Sequence, residues 1–178
     1  RFTNAYSANP LCSPTRASIL TGHYPGRLRF TTPAGHVQRV VLDPKIPERA
    51  SAGTKAVTPE TRTRLPNEYR TIAEVLKEAG YATGFFGKWH LGREPYMPTE
   101  QGFDLNVGGG PYPGPPSYFS PYRIHTLPDG PKGEHITDRL TDEAIRFVKE
   151  HADRPFFLNF WHYSVHAPYQ AKERQINR

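Results

Sequence analysis

The segment at residues 12–22 places the only cysteine of the chain close to a proline and an arginine. Pro14 suits the first turn of a helix, where its missing N–H costs nothing, and Gly22 suits the position where a helix ends. Cys12 then lies at the positive end of that helix, where anions bind favourably. The pattern predicts a nucleophile beside an anion site, although an arbitrary lone cysteine is more often a small buried hydrophobe.

A second chemically suggestive segment, residues 80–92, places Lys88 and His90 on either side of Trp89. The aromatic and small residues at 81–86 just before them predict a buried strand. In open α/β sheets, ligands bind beyond the carboxyl ends of the strands. Lys88 and His90 are therefore candidate site residues, whereas an isolated lysine or histidine is more often a surface or hydrogen-bonded residue.

The apolar run at residues 156–161 predicts a second strand, and His162 and His166 follow it. Because parallel strands end at the same edge of a sheet, these histidines are expected near the segment at 80–92. Cys12 could meet them there.

Two amphipathic helices are predicted between these segments. Thr71 and Glu74 form a capping box at the start of the first, and Gly80 ends it. The second spans about residues 137–151. Their apolar faces, which we expect to be buried, consist of Ile72, Val75, Leu76 and Ala79 in the first and of Leu140, Ala144, Phe147 and Val148 in the second. The order helix, strand, long loop, helix, strand indicates an α/β fold with a parallel sheet.

Two long segments, residues 29–67 and 93–134, show neither helical nor strand periodicity and are punctuated by proline and glycine. We predict that both are loops without regular structure and that they form the substrate rim, because specificity usually resides on such loops. The glycine run at 108–110 has no following Gly-Lys-Ser/Thr, so a plain turn is expected there instead of a phosphate-binding loop.

Composition excludes several classes of protein. The 23 Lys and Arg residues outnumber the 17 Asp and Glu residues, and the net charge of +6 favours an anionic partner. The basic residues form no dense run or nucleic-acid-binding motif, so no nucleic-acid partner is predicted. A single cysteine excludes an internal disulfide and a Cys-based zinc cluster. No apolar run is long enough to span a bilayer, and no signal peptide is visible.

The two motifs together resemble the signatures of the type I sulfatase family. Cys-x-Pro-Thr-Arg followed by Leu-Thr-Gly at residues 12–22 is similar to the first signature, and Gly-Tyr-x-Thr…Gly-Lys-Trp-His-Leu-Gly at residues 80–92 is similar to the second. Two independent motifs of this length rarely match by chance. The resemblance implies an alkaline-phosphatase-like α/β/α sandwich. It covers nearly the whole chain but only the front and middle of a typical sulfatase, so residues 1–178 are expected to be a partial catalytic domain.

The resemblance also implies a chemistry for the candidate residues. A formylglycine-generating enzyme would oxidise Cys12 to formylglycine, whose hydrate attacks the sulfur of a sulfate monoester with the help of Ca²⁺ or Mg²⁺. Arg16 would hold the hydrate, a task for which lysine is a poor substitute. Lys88 would bind a sulfate oxygen, and His166 would contact the sulfate or protonate the leaving oxygen. His90 would take a proton from the second hydroxyl, which expels sulfate and restores the aldehyde.

Further expectations follow from the same resemblance. His166 precedes Ala167-Pro168, similar to the family's His-x-Pro element, whereas His162 has no such match and is expected either to pack or to contact a site residue without touching the substrate. Cys12, as formylglycine, is the only metal contact that the family pattern assigns to this chain, so the chain alone is expected to bind the cation poorly and to be inactive. A sulfated carbohydrate and a periplasmic or secreted location are expected. A phosphomonoester or phosphonate hydrolase with the same modified cysteine, and a non-catalytic anion-binding module, remain as alternatives.

Overall fold

The computed structural model describes residues 1–176 and contains a three-stranded parallel sheet. Its strands are β1 (Ala82–Gly87), β2 (Leu105–Val107) and β3 (Phe156–Trp161), in the order β2-β1-β3. The register pairs Ala82 with Phe156 and Gly87 with Trp161. The carboxyl ends of β1 and β3 therefore meet at one edge, and the predicted parallel α/β sheet is confirmed.

Five helices accompany the sheet in the described part of the chain: α1 (Cys12–Thr21), α2 (Pro25–Leu28), α3 (Ile72–Glu78), α4 (Ile136–Glu150) and α5 (Glu173–Ile176). Gly22 ends α1 as predicted, since it adopts a left-handed φ of 70° and donates its N–H to the Ser18 carbonyl at 2.9 Å. The predicted capping box of Thr71 and Glu74 begins α3. None of the helices within residues 1–176 has the length and apolar composition that a membrane span requires.

The core lies on both faces of β1, whose six residues are all buried. Phe85 joins the cluster on the side of α1 and α3, where its ring packs edge-on against Trp89 with the centroids 5.1 Å apart. Phe86 joins the cluster on the side of α4 and packs against Phe147 at 5.6 Å. Strand alternation therefore makes β1 the centre of the fold, with one aromatic side chain directed to each layer.

The predicted burial of the helix faces is partly wrong. In α3 only Ala73 is fully buried, whereas Ile72 and Val75 are 43% and 45% exposed. This helix is fixed from its N-terminus, where the Thr71 hydroxyl donates to the Gln101 carbonyl at 2.7 Å, and that anchor presents Ala73 to the core. The prediction for α4 is confirmed except at Val148, which is 38% exposed.

The prediction that residues 93–134 hold no regular structure is also wrong. This segment contains a short 3-10 helix, Pro98–Gln101, and strand β2. Asp104 joins β2 to β1, because its side chain accepts hydrogen bonds from the Thr83 N–H and hydroxyl, both at 3.0 Å, and its own N–H donates to the Thr83 carbonyl at 2.9 Å. Elements of three or four residues are too short to produce a recognisable sequence period.

Candidate active site

Cys12 is the first residue of α1 and lies at its positive end. The residue before it, Leu11, has an extended backbone, and no side chain among residues 1–176 caps this helix terminus. Pro14 has no N–H, so the N–H groups of Cys12 and Ser13 are the ones in the first turn that lack an intrahelical acceptor. The Cys12 Sγ atom accepts a hydrogen bond from the Lys88 Nζ at 3.3 Å. The structure thus brings together two residues that lie 76 positions apart in the sequence.

Lys88 reaches Cys12 from the end of β1. Gly87 ends the strand with a φ of 100°, and the Lys88 N–H donates to the Trp161 carbonyl at 2.8 Å. The Lys88 residue is only 3% exposed. Burial lowers the pKa of Lys88, the negative charge that Cys12 can carry opposes that change, and the Arg16 cation lowers the pKa further. A lysine held in such a place can neutralise an anion without first being stripped of much water.

Arg16 is one helical turn beyond Cys12 on the same face of α1. Its Nη1 donates to the Lys88 carbonyl at 2.6 Å, and its guanidinium lies 4.7 Å from the centre of the Trp161 ring. Burial lowers the pKa of Arg16 to about 10, so the group remains cationic at neutral pH. Arg16 therefore ties α1 to the ends of both β1 and β3. Trp161 was not predicted as a site residue, and its place as the last residue of the apolar strand was the available signal.

His90 is buried next to this cluster and is only 1% exposed. His90 has a left-handed backbone with a φ of 56°, so it does not continue the extended conformation of β1. Its N–H donates to the Gly110 carbonyl at 2.9 Å. Burial, reinforced first by the positive charge of Lys88, lowers the pKa of His90 to about 3. The imidazole is therefore neutral at neutral pH. Its Nδ1 is buried and has no hydrogen-bond partner among the described residues.

The sequence analysis missed His36, whose Nδ1 lies 2.8 Å from the Nε2 of His90. His36 belongs to the segment at 29–67 that was predicted to be a loop, and it lies 54 positions from its partner. No periodicity or motif marks it. The glycine just before it is a weak signal of close backbone approach.

The two remaining candidate histidines lie outside the hydrogen-bonded cluster. His166 is exposed, and among residues 1–176 its side chain has no hydrogen bond to Cys12, Lys88 or His90. Its charge is nevertheless one of those that lower the pKa of His90. A Cβ atom on Gly114 would lie 2.5 Å from the His166 Nδ1, so the loop of the glycine- and proline-rich segment packs tightly against this histidine.

His162 is exposed and packs its ring on Phe160, with the centroids 4.3 Å apart. This contact agrees with the packing role expected for it. Trp89, between the two site residues Lys88 and His90, is fully buried and donates its indole N–H to the Tyr96 carbonyl at 2.9 Å. Along residues 88–90, the tryptophan side chain therefore packs in the core, and the side chains of its two neighbours lie at the site.

Across residues 1–176, no three His, Cys, Asp or Glu side chains come close enough together to hold a metal ion. The described residues therefore do not form a complete cation site. Cys12, as formylglycine, is the one position to which the resemblance assigned a metal contact.

Comparison with known proteins identifies the relatives of this chain. A family model described as "Sulfatase" matches residues 1–178. The N-acetylgalactosamine-6-sulfatase of Canis lupus familiaris is 34% identical over 194 residues, which cover 96% of this chain and 33% of that protein. The arylsulfatase of Hemicentrotus pulcherrimus is 30% identical and is matched over 89% of this chain and 29% of its own length. The chain therefore spans about a third of the length of these curated relatives.

Solved structures show the same relationship. The crystal structure of Ps i-CgsB superposes with a TM-score of 0.70 at 27% identity and covers 99% of this chain and 39% of that one. The structure of BT4656 in complex with its substrate D-glucosamine-2-N,6-O-disulfate superposes with a TM-score of 0.60 at 25% identity, over 98% of this chain and 29% of that one. The described residues thus correspond to an incomplete portion of a larger α/β fold.

Proposed function

The chain belongs to the sulfatase family, and we propose that it supplies the nucleophile and the anion-binding side chains for hydrolysis of a sulfate monoester. The observation that carries this proposal is the 3.3 Å contact between the Lys88 ammonium and the Cys12 Sγ at the uncapped end of α1. The thiol is the only one in the chain, and it lies where a cation and the first turn of a helix both face it. A sulfated carbohydrate is the proposed substrate, because relatives are named for N-acetylgalactosamine-6-sulfate and one was solved with a disulfated glucosamine.

The electrostatics of the site suit a sulfate ester. The anionic sulfuryl group repels an incoming nucleophile, so the charge on its oxygens must be neutralised. Lys88 and Arg16 supply two cations, and the N–H groups at the start of α1 add a partial positive charge. Arg16 is fixed by its bond to the Lys88 carbonyl and by the Trp161 ring, so it needs little reorganisation when the substrate binds.

We assign the proton transfers to the two histidines. Oxidation of Cys12 replaces Sγ by the oxygen of formylglycine, whose hydrate supplies a nucleophilic hydroxyl. The neutral His90, with an unpartnered Nδ1, can accept a proton from a hydroxyl at that position. His166 lies on the exposed side, where a leaving oxygen would depart, and we assign it to protonation of that oxygen. We also propose that the Lys88 ammonium contacts a sulfate oxygen.

We further propose that Ca²⁺ or Mg²⁺ binds at the position of Cys12, with its other ligands supplied from outside residues 1–176, where no group of three ligating side chains exists. Residues 1–178 are accordingly proposed to be part of a longer catalytic domain, in which the segments at 29–67 and 93–134 form the substrate rim. A formylglycine-generating enzyme is the proposed maturation partner. A periplasmic or secreted location is proposed from the family, and cell fractionation of the native protein would test it.

The test of the proposed activity uses the full-length protein produced together with a formylglycine-generating enzyme. Its initial rates on 4-nitrophenyl sulfate and 4-nitrophenyl phosphate are compared with those of Cys12→Ala. The proposal predicts faster hydrolysis of the sulfate and loss of that activity in the variant. Faster hydrolysis of the phosphate would instead identify a phosphomonoesterase. Binding of sulfated sugar without any turnover would identify a non-catalytic anion-binding module.

A further inference from the structure

The contact between His36 and His90 joins an exposed imidazole to a buried one. The His36 Nδ1 and the His90 Nε2 are 2.8 Å apart, and the two rings are tilted by 32°. Two neutral imidazoles can form this bond only if one nitrogen carries the hydrogen and the other accepts it. The direction of this bond therefore determines which nitrogen of His90 is protonated.

The backbone segments that carry the two histidines lie in close contact. Gly35 lies directly against the backbone of His90, and a Cβ atom there would lie 2.9 Å from the Leu91 nitrogen and closer still to the His90 carbonyl. The fully buried Ser13 hydroxyl donates to that same His90 carbonyl at 2.8 Å. The backbone of His90 is therefore held by the loop on one side and by the first turn of α1 on the other.

A buried arginine fixes the loop that carries His36. Arg64 is 2% exposed and donates to the Val37 carbonyl at 2.8 Å and to the Gly35 carbonyl at 3.5 Å. Arg93 donates to the carbonyl of His36 itself at 3.3 Å. Carbonyls at three successive positions are thus bound by guanidinium groups. The His36 ring is held in place although its side chain reaches the surface.

The burial of the His90 Nδ1 determines the direction of the hydrogen bond. Its Nδ1 is buried and unpartnered within the described residues, and the cations of Lys88 and Arg16 lie close enough to disfavour a proton on the ring. A buried N–H without an acceptor is costly, and an unpaired lone pair at the same nitrogen is better tolerated. The hydrogen of His90 therefore belongs on Nε2, which donates to the His36 Nδ1. The Nε2 of the exposed His36 keeps its own hydrogen, which can bond to water.

We propose that His36 is a positioning residue that holds His90 in the tautomer with a free Nδ1 lone pair. This inference rests on the proposed function, in which that lone pair accepts a proton from a hydroxyl at residue 12. The proton moves from the hydroxyl oxygen to Nδ1, and the hydrogen on Nε2 stays bonded to His36. Without His36, the His90 ring can exchange tautomers or turn, and part of the population loses the acceptor.

Nitrogen NMR of the full-length protein labelled with ¹⁵N-histidine tests the tautomer directly at pH 7. The expected His90 spectrum shows a protonated Nε2 and an unprotonated Nδ1. A protonated Nδ1 of His90 in the wild-type protein would overturn the inference, and this measurement does not depend on the folding of any variant. In His36→Asn the amide oxygen lies near the position of the former Nδ1 and should preserve the pattern, whereas His36→Leu should lose it. His162→Asn, an exposed histidine outside the cluster, is the matched control.

Steady-state kinetics on a sulfate ester test the consequence. We expect His36→Leu to lower kcat by about 10- to 100-fold, with little change in KM, by analogy with the loss of a partner that orients a metal-bound histidine. His36→Asn should recover most of that loss, and His162→Asn should match the wild type. Wild-type kcat in His36→Leu would overturn the positioning role. If the wild-type full-length protein, produced together with a formylglycine-generating enzyme, hydrolyses no sulfate ester, the proposed function fails, while the NMR spectrum still decides the tautomer.

Discussion

Replacement of Gly35 by alanine tests how closely the active site depends on the loop of residues 34–38. The added methyl carbon would lie 2.9 Å from the Leu91 nitrogen and closer to the carbonyl carbon and oxygen of His90. Carbon atoms in ordinary contact stay about 3.5–4.0 Å apart, so the loop or the His90 backbone must move by about 1 Å. Such a shift would break the bond between His36 and His90 and displace the imidazole from residue 12.

Two quantities should change in Gly35→Ala. Overpacking of a closely packed interior costs about 1–3 kcal/mol, which corresponds to a fall in Tm of roughly 2–12 °C for a domain of this size. A displacement of about 1 Å in a catalytic group can cost about 100-fold in rate, so kcat on a sulfate ester should fall by that order. Gly26→Ala is the matched control, because a Cβ added there meets no neighbouring atom of the described residues within 4 Å. Equal Tm and kcat in the two variants would refute the reasoning.

Three further predictions concern charge. Lys88→Met should lower kcat/KM on a sulfate ester by roughly 100- to 1,000-fold, because it removes a cation aimed at the charge that develops on the sulfate. Lys149→Met, at an exposed lysine, should leave kcat/KM unchanged. Equal kcat/KM in the two variants would exclude Lys88 from the chemistry. Because the pKa of His90 is about 3, the unfolded chain binds a proton at this residue between about pH 3 and 6.5 that the folded chain does not. The free energy of unfolding from urea titrations should therefore fall as the pH drops through that window, and His90→Asn should make the slope shallower; an unchanged slope would contradict the low pKa. Calorimetric titration of the 178-residue chain with calcium should show no tight binding, because residues 1–176 contain no group of three ligating side chains. A micromolar or tighter constant would refute this.

Local patterns in the sequence predicted the elements that position the site. The capping box at Thr71, the left-handed Gly22 and the apolar strands all depend on neighbouring residues, and each is present in the structure. The rule that ligands bind beyond the carboxyl ends of parallel strands predicted that Lys88 and His90 lie at the edge where β1 and β3 end, and both residues lie there. The roles of these side chains in catalysis stay predictions.

What the sequence could not predict depends on contacts between distant segments. Periodicity showed that Ile72 and Val75 share a face of α3, but it could not show that an anchor at Thr71 would present Ala73 to the core instead. Strand β2 has three residues and is defined by its parallel pairing with β1, in which Leu105 lies opposite Gly84. Both features are set by tertiary hydrogen bonds that leave no local period.

His36 is the clearest case. It lies in a polar, proline-rich segment, and its partner is 54 positions away. Its placement depends on Arg64, whose buried guanidinium binds backbone carbonyls on both sides of it, and on the absence of a side chain at Gly35. Backbone carbonyls can be bound at any residue type, so apart from the weak signal of Gly35 the sequence of the loop carries no signature of the interaction.

The most direct test of the central claim is peptide mass analysis of residue 12 in the full-length protein, produced together with a formylglycine-generating enzyme and treated with a hydroxylamine probe. The account predicts an aldehyde at this position that forms the oxime, and no such product in Cys12→Ala. A free thiol at residue 12 in a preparation that fully hydrolyses sulfate esters would contradict the account.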